Sequence, residues 1–498
     1  MSVVAEEIPV KQSYKYVGTR PVRHDGLEKV NGKARFAADM TKPRMIHGHV
    51  LRSPYAHAKI LSIDTSKAES MPGVKAIVTA SDFPLPKKDE GFPHRSKNLI
   101  ARDKVRYEGQ AVAAIAATTL RQAKKAAAEI LIEYEELPHV ITIDEAMSEN
   151  APLVHEDMLT EGLDSEPLKP SNIAKREFFE QGDIEAGFAQ ADHVLEHEFN
   201  TKVVHQGYIE PHVSTALWNT DGHVTVWTST QGSFTVRDQT AGLLQLPVSQ
   251  VSVVPCEIGG GFGGKIAVYL DPVCAVLSRK SGRPVKIVMS RADVFEATGP
   301  TPGSFMRVKL GAKKDGTLVA GEAWLAYDAG AFPGGMIGPG CMCVFSCYDI
   351  PNARVDGFDV MANKPKTQAY RAPGATQAAF ACESVVDEIA KKLGMDAIDI
   401  RLKNATKEGT RRVDGPVYPK VGFVEILEAA KASDHWNAPL DGPNRGRGIA
   451  SGFWFNCGLK SCVTAHVNAD GTVALVEGST DIGGSRTSIA MQLSLIHI

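Results

Sequence analysis

The chain has 498 residues, 43% of them hydrophobic and 23% charged, with a formal net charge of -3. That length exceeds one ordinary core and predicts two to four domains, while the charge balance gives no reason to expect nucleic acid or another polyanion as a partner. No apolar stretch approaches the ~18 residues of a spanning helix, Met1 to Lys11 holds no signal-peptide core, and eight cysteines fit reduced thiols better than a disulfide framework, so a cytoplasmic protein with no membrane span is expected.

The first segment runs from Arg20 to Val140. Ala111 to Ala116 is an apolar run of buried-strand type. Thr119 with Gln122 reads as a capping box, and Leu120, Ala123, Ala127 and Ile130 recur at helical spacing. Leu131 to Glu136 returns as a strand before Pro138. The expectation is a small α/β domain whose β–helix–β core is complete within itself. Residues 147–171 are rich in Glu, Pro and Asp without periodicity and are expected to form a linker wrapping the surface.

Strands dominate beyond it. Asp221-Gly222, Asp315-Gly316 and Asp470-Gly471 each sit between β-type runs and predict hairpins. The first leads through Val224 to Val226 into Ser229-Thr230-Gln231-Gly232. The third leads through Val473 to Leu475 into Ser479-Thr480-Asp481-Ile482-Gly483. One unit used twice predicts two related domains, 172–408 and 420–498, the second incomplete. A helix is signalled by Pro373 in its first turn, by Ala378, Cys382, Val385 and Ile389 on one face, and by Gly394 at its end. Asp396 is the expected N-cap of a following short helix. Cys341, Cys343 and Cys347 cluster, but their spacing matches no common metal signature, and they read as small buried thiols.

The sharpest local feature is Gly259-Gly-Gly-Phe-Gly-Gly-Lys265, following a strand from Val251 to Pro255. Glycines at this density let the backbone take positive φ and turn several N–H groups toward one anionic or oxygen-rich ligand. The run also matches the start of a P-loop, but Ile266 stands where a nucleotide-binding P-loop carries a Ser or Thr for Mg²⁺. A second loop, Gln368 to Gly374, lies just before the signalled helix, where anions are favoured. Its Arg371 would add a positive charge or serve as a cap or salt-bridge contact. Gln231 would offer an amide to a polar group.

Taken together and in order, Ser229-Thr-Gln231, Glu257 to Lys265, Ala369-Tyr-Arg-Ala-Pro-Gly374 and Asp481-Ile-Gly-Gly484 resemble the large-subunit signature of the xanthine dehydrogenase/aldehyde oxidase family. Gly32 to Asp39, Arg52 to His57 and Tyr107 to Gln110 resemble that family's a/b hammerhead domain. Gly207 to His212 and Met395 to Asn404 are also similar to it. The resemblance runs from about Arg20 to Gln492.

It implies an α/β (α+β) fold: a hammerhead domain over 20–140, then two related molybdopterin-binding α/β domains that clasp the cofactor. Gln231 would lie beside the metal's apical oxo ligand. Gly260, Gly261 and Phe262 would line the cofactor, Arg371 would reach it from the second loop, and Ile482, Gly483 and Gly484 from a third. No side chain ligates the metal in such enzymes, because the pterin holds it. The implied cofactor is molybdenum-molybdopterin in its cytosine dinucleotide form, with FAD on a medium partner subunit and [2Fe-2S] centres on a small one. The implied reaction hydroxylates an aldehyde or an (N-hetero)aromatic carbon with oxygen derived from water.

Three departures qualify the resemblance. Gly484 stands where many members have glutamine. Ile266, in the implied substrate pocket, stands where purine-oxidising members carry a glutamate. Ala372 stands where carbon monoxide dehydrogenases carry a cysteine. The family's general-base glutamate belongs to a Gly-x-Gly-Glu motif beyond the end of this chain. Leu493 to Ile498 resembles the translation of a sequencing-adapter end, so a truncated chain, inactive by itself, is expected. The rival expectations are a non-catalytic binding or assembly protein of the same fold and a P-loop nucleotidase.

Overall fold

The computed structural model describes residues 22–23, 25–85, 93–455, 463–478 and 480–484. Residues 485–498, the terminal Leu493 to Ile498 among them, lie outside them. The strands, in chain order, are Ile46–Arg52 (β1), Ala58–Asp64 (β2), Val74–Thr79 (β3), Lys104–Val105 (β4), Ala111–Ala117 (β5), Leu131–Glu136 (β6), Ile173–Gln181 (β7), His193–Thr201 (β8) and Val213–Trp218 (β9). They continue with Val224–Thr228 (β10), Val251–Pro255 (β11), Val285–Val288 (β12), Ser304–Ala312 (β13), Leu318–Gly330 (β14), Asn352–Met361 (β15), Val463–Val467 (β16) and Val473–Glu477 (β17).

Most of them form two large sheets. A seven-stranded sheet has the order β11-β10-β9-β12-β1-β5-β3, and a five-stranded one the order β7-β15-β14-β13-β8. The all-apolar run in β5 is buried at every position, as expected for a central strand. The helix Asp271–Ser281 packs on β9 and β3, and the helix Ala375–Leu393 packs on β13 and β8. Each sheet thus keeps its own apolar core, one centred on residues such as Val224, Leu277 and Val285, the other on Leu310, Leu325 and Val385.

The expectation of a self-contained β–helix–β core needs correction. β5 and β6 flank the helix Leu120–Ala127 in sequence but belong to different sheets, β6 pairing with β2 beside β4. β1 also pairs in parallel with β12, Ile46 opposite Val285. The larger sheet is therefore built jointly by the first segment and the chain beyond residue 213. The cap at Thr119 is likewise one-sided. Its hydroxyl accepts Gln122 N at 3.2 Å, but the Gln122 side chain accepts from the Thr118 and Thr119 hydroxyls rather than returning to the backbone.

Residues 147–171 are largely irregular, yet they are not a simple surface wrap. Val154 and His155 are fully buried, and Asn172 fastens the segment by accepting Val154 N and donating to Pro152 O. The hairpins form where expected, for a common reason. At each of the three Asp-Gly pairs the aspartate accepts the N–H two residues on, and the glycine sits at φ +81° to +88°. The helix Ala375–Leu393 buries Ala378, Cys382, Val385 and Ile389 and ends at Gly394 with φ +66°. Asp396 caps the next helix by accepting Ile398 N and Asp399 N. Cys341, Cys343 and Cys347 are buried, and burial pushes the Cys343 and Cys347 thiols up to about 12.

Candidate cofactor site

β10 and β11 run parallel, Val224 opposite Val251 and Thr228 opposite Pro255. Their carboxyl ends therefore open on the same edge of the sheet, the usual place for a ligand in an α/β protein. Ser229 to Gln231 leaves β10 there, and the glycine loop leaves β11 there. The two segments lock together: Gln231 N donates to Lys265 O at 2.9 Å and Thr230 Oγ1 to the same oxygen at 3.1 Å.

Gln231 is oriented by the loop. Its Oε1 accepts Gly263 N at 2.8 Å and Lys265 N at 3.2 Å. With the acceptor end committed, the amide NH2 is the end left to donate outward. The loop's own N–H groups divide in the same way. Those of Gly259, Gly263, Gly264 and Lys265 are bonded within the protein. Among the described residues, the N–H groups of Gly260, Gly261 and Phe262 have no acceptor. Phe262 takes φ +52° and remains partly exposed.

Glycine is required here by contact as well as by φ. A Cβ on Gly261 would stand 2.5 Å from Gln231 Oε1, and one on Gly263, at φ +108°, would stand 2.4 Å from Ala369 O. The second loop lies that close because Arg371 N donates to Phe262 O at 2.9 Å, while Gln206 Nε2 donates to both Gly299 O and Ala369 O at 2.9 Å. Arg371 and Ala372 both take positive φ, +30° and +64°. Arg371 is exposed at the mouth of the helix Ala375–Leu393, whose first N–H groups and dipole favour negative charge.

Sequence reasoning missed the support beneath the loop. Glu210 Oε2 accepts Lys265 Nζ at 2.7 Å and Gly259 N at 2.8 Å, so one carboxylate oxygen holds both ends of the loop. The Lys265 side chain is 0% exposed, and its ammonium lies 4.9 Å from the Tyr208 ring centroid. Tyr208 Oη in turn meets His212 Nε2 at 2.7 Å and Thr298 Oγ1 at 3.1 Å. Burial holds His212 well below its usual pKa, and the Lys265 charge adds to that. Gly207 to His212 stood out only as family-like, because a lone Glu between an Ile and a Pro carries no local signal of its partner 55 residues on.

This burial also removes the nucleotidase reading. A P-loop lysine must reach phosphate, whereas Lys265 points into the protein. No helix opens directly from the loop either, the next one beginning at Asp271.

The third loop stands apart. Gly478, at the end of the β16–β17 hairpin, packs against Phe234 three residues past Gln231. Asp481 pairs with Arg23 at 3.0 Å and accepts Gly483 N at 2.7 Å. Among the described residues, no hydrogen bond joins Ile482, Gly483 or Gly484 to Gln231 or to the first two loops. The hairpin itself is exposed along both strands.

A wall with three free N–H groups, an outward amide, a nearby cation and a helix N-terminus fits a large, oxygen-rich anionic cofactor. Comparison with known proteins gives that class its identity. Residues 166–405 match the model of the molybdopterin cofactor-binding domain, and residues 31–138 that of the aldehyde oxidase and xanthine dehydrogenase a/b hammerhead domain. The chain is 36% identical to the nicotinate dehydrogenase large molybdopterin subunit of Eubacterium barkeri, over 84% of this chain and 96% of that one. It is 34% identical to a probable xanthine dehydrogenase subunit of Bacillus subtilis, over 83% of this chain and 54% of that one. The aldehyde oxidoreductase from Desulfovibrio gigas superposes with a TM-score of 0.78 at 26% identity, covering 91% of this chain and 51% of its own. The chain belongs to the xanthine dehydrogenase/aldehyde oxidase family, as a molybdopterin-binding large subunit. It spans nearly the whole Eubacterium relative but only about half the length of the other two.

Proposed function

We propose that this chain is the molybdenum-binding large subunit of a hydroxylase that oxidises an aldehyde or an (N-hetero)aromatic carbon with oxygen derived from water. The observation that carries the reading is the pairing of three unbonded N–H groups, Gly260 to Phe262, with a Gln231 amide whose oxygen is already committed. When bound, the molybdenum–pterin group supplies both the activated water oxygen and the acceptor for the substrate's electrons.

The chain's part is to hold that group and aim dipoles at it. Gln231 donates from its NH2. The loop tip donates from three backbone N–H groups. Arg371 and the helix behind it supply positive potential. Ile482, Gly483 and Gly484 are assigned to the pterin side, on the strength of their resemblance to the family's third loop. The cytosine dinucleotide form of the cofactor, a medium FAD subunit, a small [2Fe-2S] subunit and a cytoplasmic location complete the reading. Support for partner subunits comes from relatives named as subunits or as a large chain. Among the described residues, no helix is long and apolar enough to cross a membrane.

The test is to purify the full-length protein with its partners from a host that makes the cofactor. Metal analysis, pterin fluorescence and nucleotide release then report the cofactor, and dye reduction with aldehydes and N-heteroaromatics reports turnover. Near-stoichiometric molybdenum with turnover is expected. Molybdenum without turnover of any such compound would leave the non-catalytic alternative.

A further inference from the structure

Three alternate residues of one short segment meet the two loops from below. Gln206 donates to Ala369 O of the second loop, Tyr208 lies under the glycine loop, and Glu210 holds that loop at Gly259 and Lys265. Tyr208, the middle one, is 1% exposed. A Cβ on Gly260 would stand 3.1 Å from Tyr208 Cβ, and one on Gly264 2.9 Å from Tyr208 Cε1. The span from Gly260 to Gly264, which carries the three free N–H groups, thus rests on one residue at both ends. Glycines offer no side chains by which the loop could brace itself, so its aim depends on what it rests on. The same ring receives the Lys265 ammonium, 4.9 Å from its centroid.

The hydrogens around the Tyr208 hydroxyl can be assigned one by one. Thr298, at the end of the helix Arg291–Ala297, has a single hydroxyl hydrogen and donates it to Val294 O at 2.6 Å. Gly207 N donates to His205 Nδ1 at 3.1 Å, so the neutral His205 carries its hydrogen on Nε2 and donates to Thr298 Oγ1 at 2.8 Å. At the 3.1 Å contact between Tyr208 and Thr298 the hydrogen must therefore come from Tyr208. With that hydrogen spent, Tyr208 Oη accepts from His212 Nε2–H at 2.7 Å. Burial pushes the hydroxyl up to about 12, so it keeps its hydrogen. Held from two sides, the ring cannot tilt without breaking a buried bond.

We infer that Tyr208 is a positioning residue for the cofactor: its hydroxyl, fixed between Thr298 and His212, fixes the ring, and the ring fixes the direction in which the N–H groups of Gly260 to Phe262 point. This rests on the hydroxylase reading above and adds to it a residue buried beneath the loop. The link continues through Lys265, whose backbone N–H helps to orient Gln231.

The full-length holoenzyme is to be prepared as Tyr208→Phe, Thr298→Val and Thr298→Ser. Tyr418→Phe is the control, since it loses a buried hydroxyl bond, to Ser346 O at 2.8 Å, elsewhere in the chain. Two quantities are read: the rate at which pterin leaves the protein on dilution, and the deuterium exchange of the bonded amides Gly263 to Lys265. Tyr208→Phe should raise both by about fivefold, the scale of one lost hydrogen bond between neutral groups. Thr298→Val should do the same, and Thr298→Ser, which keeps the acceptor, should not. The double variant Tyr208→Phe with Thr298→Val should add little to either alone, because both cut one link. Tyr418→Phe should lower the melting temperature and leave both rates at the wild-type value. Unchanged rates in Tyr208→Phe, or a rise shared by Tyr418→Phe, would overturn the inference while leaving the hydroxylase reading intact. If the wild type binds no pterin, the hydroxylase reading fails and exchange alone decides. Faster exchange at Gly263 to Lys265 in Tyr208→Phe but not in Tyr418→Phe would uphold the brace beneath the loop, and equal exchange would refute it.

Discussion

Glu210 and Lys265 form an ion pair almost wholly removed from water, and the same carboxylate oxygen also takes the first N–H of the glycine loop. Removing one member of such a pair leaves the other charged and uncompensated, at a cost of ~3–5 kcal/mol. Glu210→Gln and Lys265→Met should each lower the thermal unfolding midpoint markedly. The double replacement should cost less than the sum of the two. Simple additivity in the melting series would show that the pair is not coupled.

Gln231 has two ends with two tasks, and they separate. Gln231→Glu keeps an oxygen for Gly263 N and Lys265 N but loses the NH2 donor. Molybdenum content and melting temperature should stay close to wild type while kcat falls by ~10²-fold, the scale of one lost preorganised donor. Gln231→Ala should lose both, with molybdenum content falling too. Equal kcat in Gln231→Glu and wild type would remove the donor role.

Gly263→Ala should part the two loops. Its Cβ would stand 2.4 Å from a backbone carbonyl, and φ +108° is itself strained for an L side chain, by ~1–3 kcal/mol. The expected result is a purified protein with little molybdenum. Gly222→Ala, also at positive φ but with nothing within 4 Å of the added carbon, should lose stability and keep its metal. Metal analysis of the two variants side by side is the check.

Acid should weaken the fold through His155. It is buried, donates through Nε2 to Ala331 O at 2.8 Å, and is held down to about 3, first by burial and then by the Arg106 charge. A lowered histidine pKa means that the unfolded chain binds the extra proton between about 6.5 and about 3. The stability is then complete above pH 6.5 and lost progressively as pH falls. Roughly 2 kcal/mol should disappear between pH 6.5 and 5. His155→Gln should flatten that part of the profile in melts taken across the pH range. An unchanged slope would place the acid sensitivity elsewhere.

Xanthine and hypoxanthine should be poor substrates of the holoenzyme. Ile266 gives an apolar surface to a cavity of about 420 Å³ beside the glycine loop, and each purine ring polar atom left without a partner costs ~1–3 kcal/mol. Steady-state comparison with an oxidised aldehyde is sufficient, and efficient xanthine oxidation would contradict the assignment of Ile266 to the substrate wall.

Local chemistry was legible in the sequence wherever the partner lies a few residues away. Asp396 caps at two and three residues' distance, Gly394 ends its helix in the left-handed conformation only glycine adopts freely, and the three Asp-Gly turns close on themselves. The loops could be ordered along the chain but not assembled. That Arg371 N meets Phe262 O, or that Glu210 meets Lys265, depends on strand order, and no periodicity encodes strand order. Ala111 to Ala117 reads equally well as the centre of a small sheet or of a large one, so the reach of the seven-stranded sheet past residue 213 was invisible. The cavity beside Ile266 is more distant still, gathered from segments near 95, 239, 267, 333 and 366 with no shared motif.

The parallel pairing of β1 with β12 gives the chain a high contact order. Ile46 leaves the ribosome about 240 residues before Val285, a delay of about 10–50 s at ~5–20 residues per second. Until then β1 can pair with β5 on one side only, and its other edge stays open to any passing strand. Nascent chains of this protein should therefore depend on chaperone cover for that interval. Substitutions at the β1–β12 seam should lower the yield of soluble protein more than they lower the stability of molecules that have already folded.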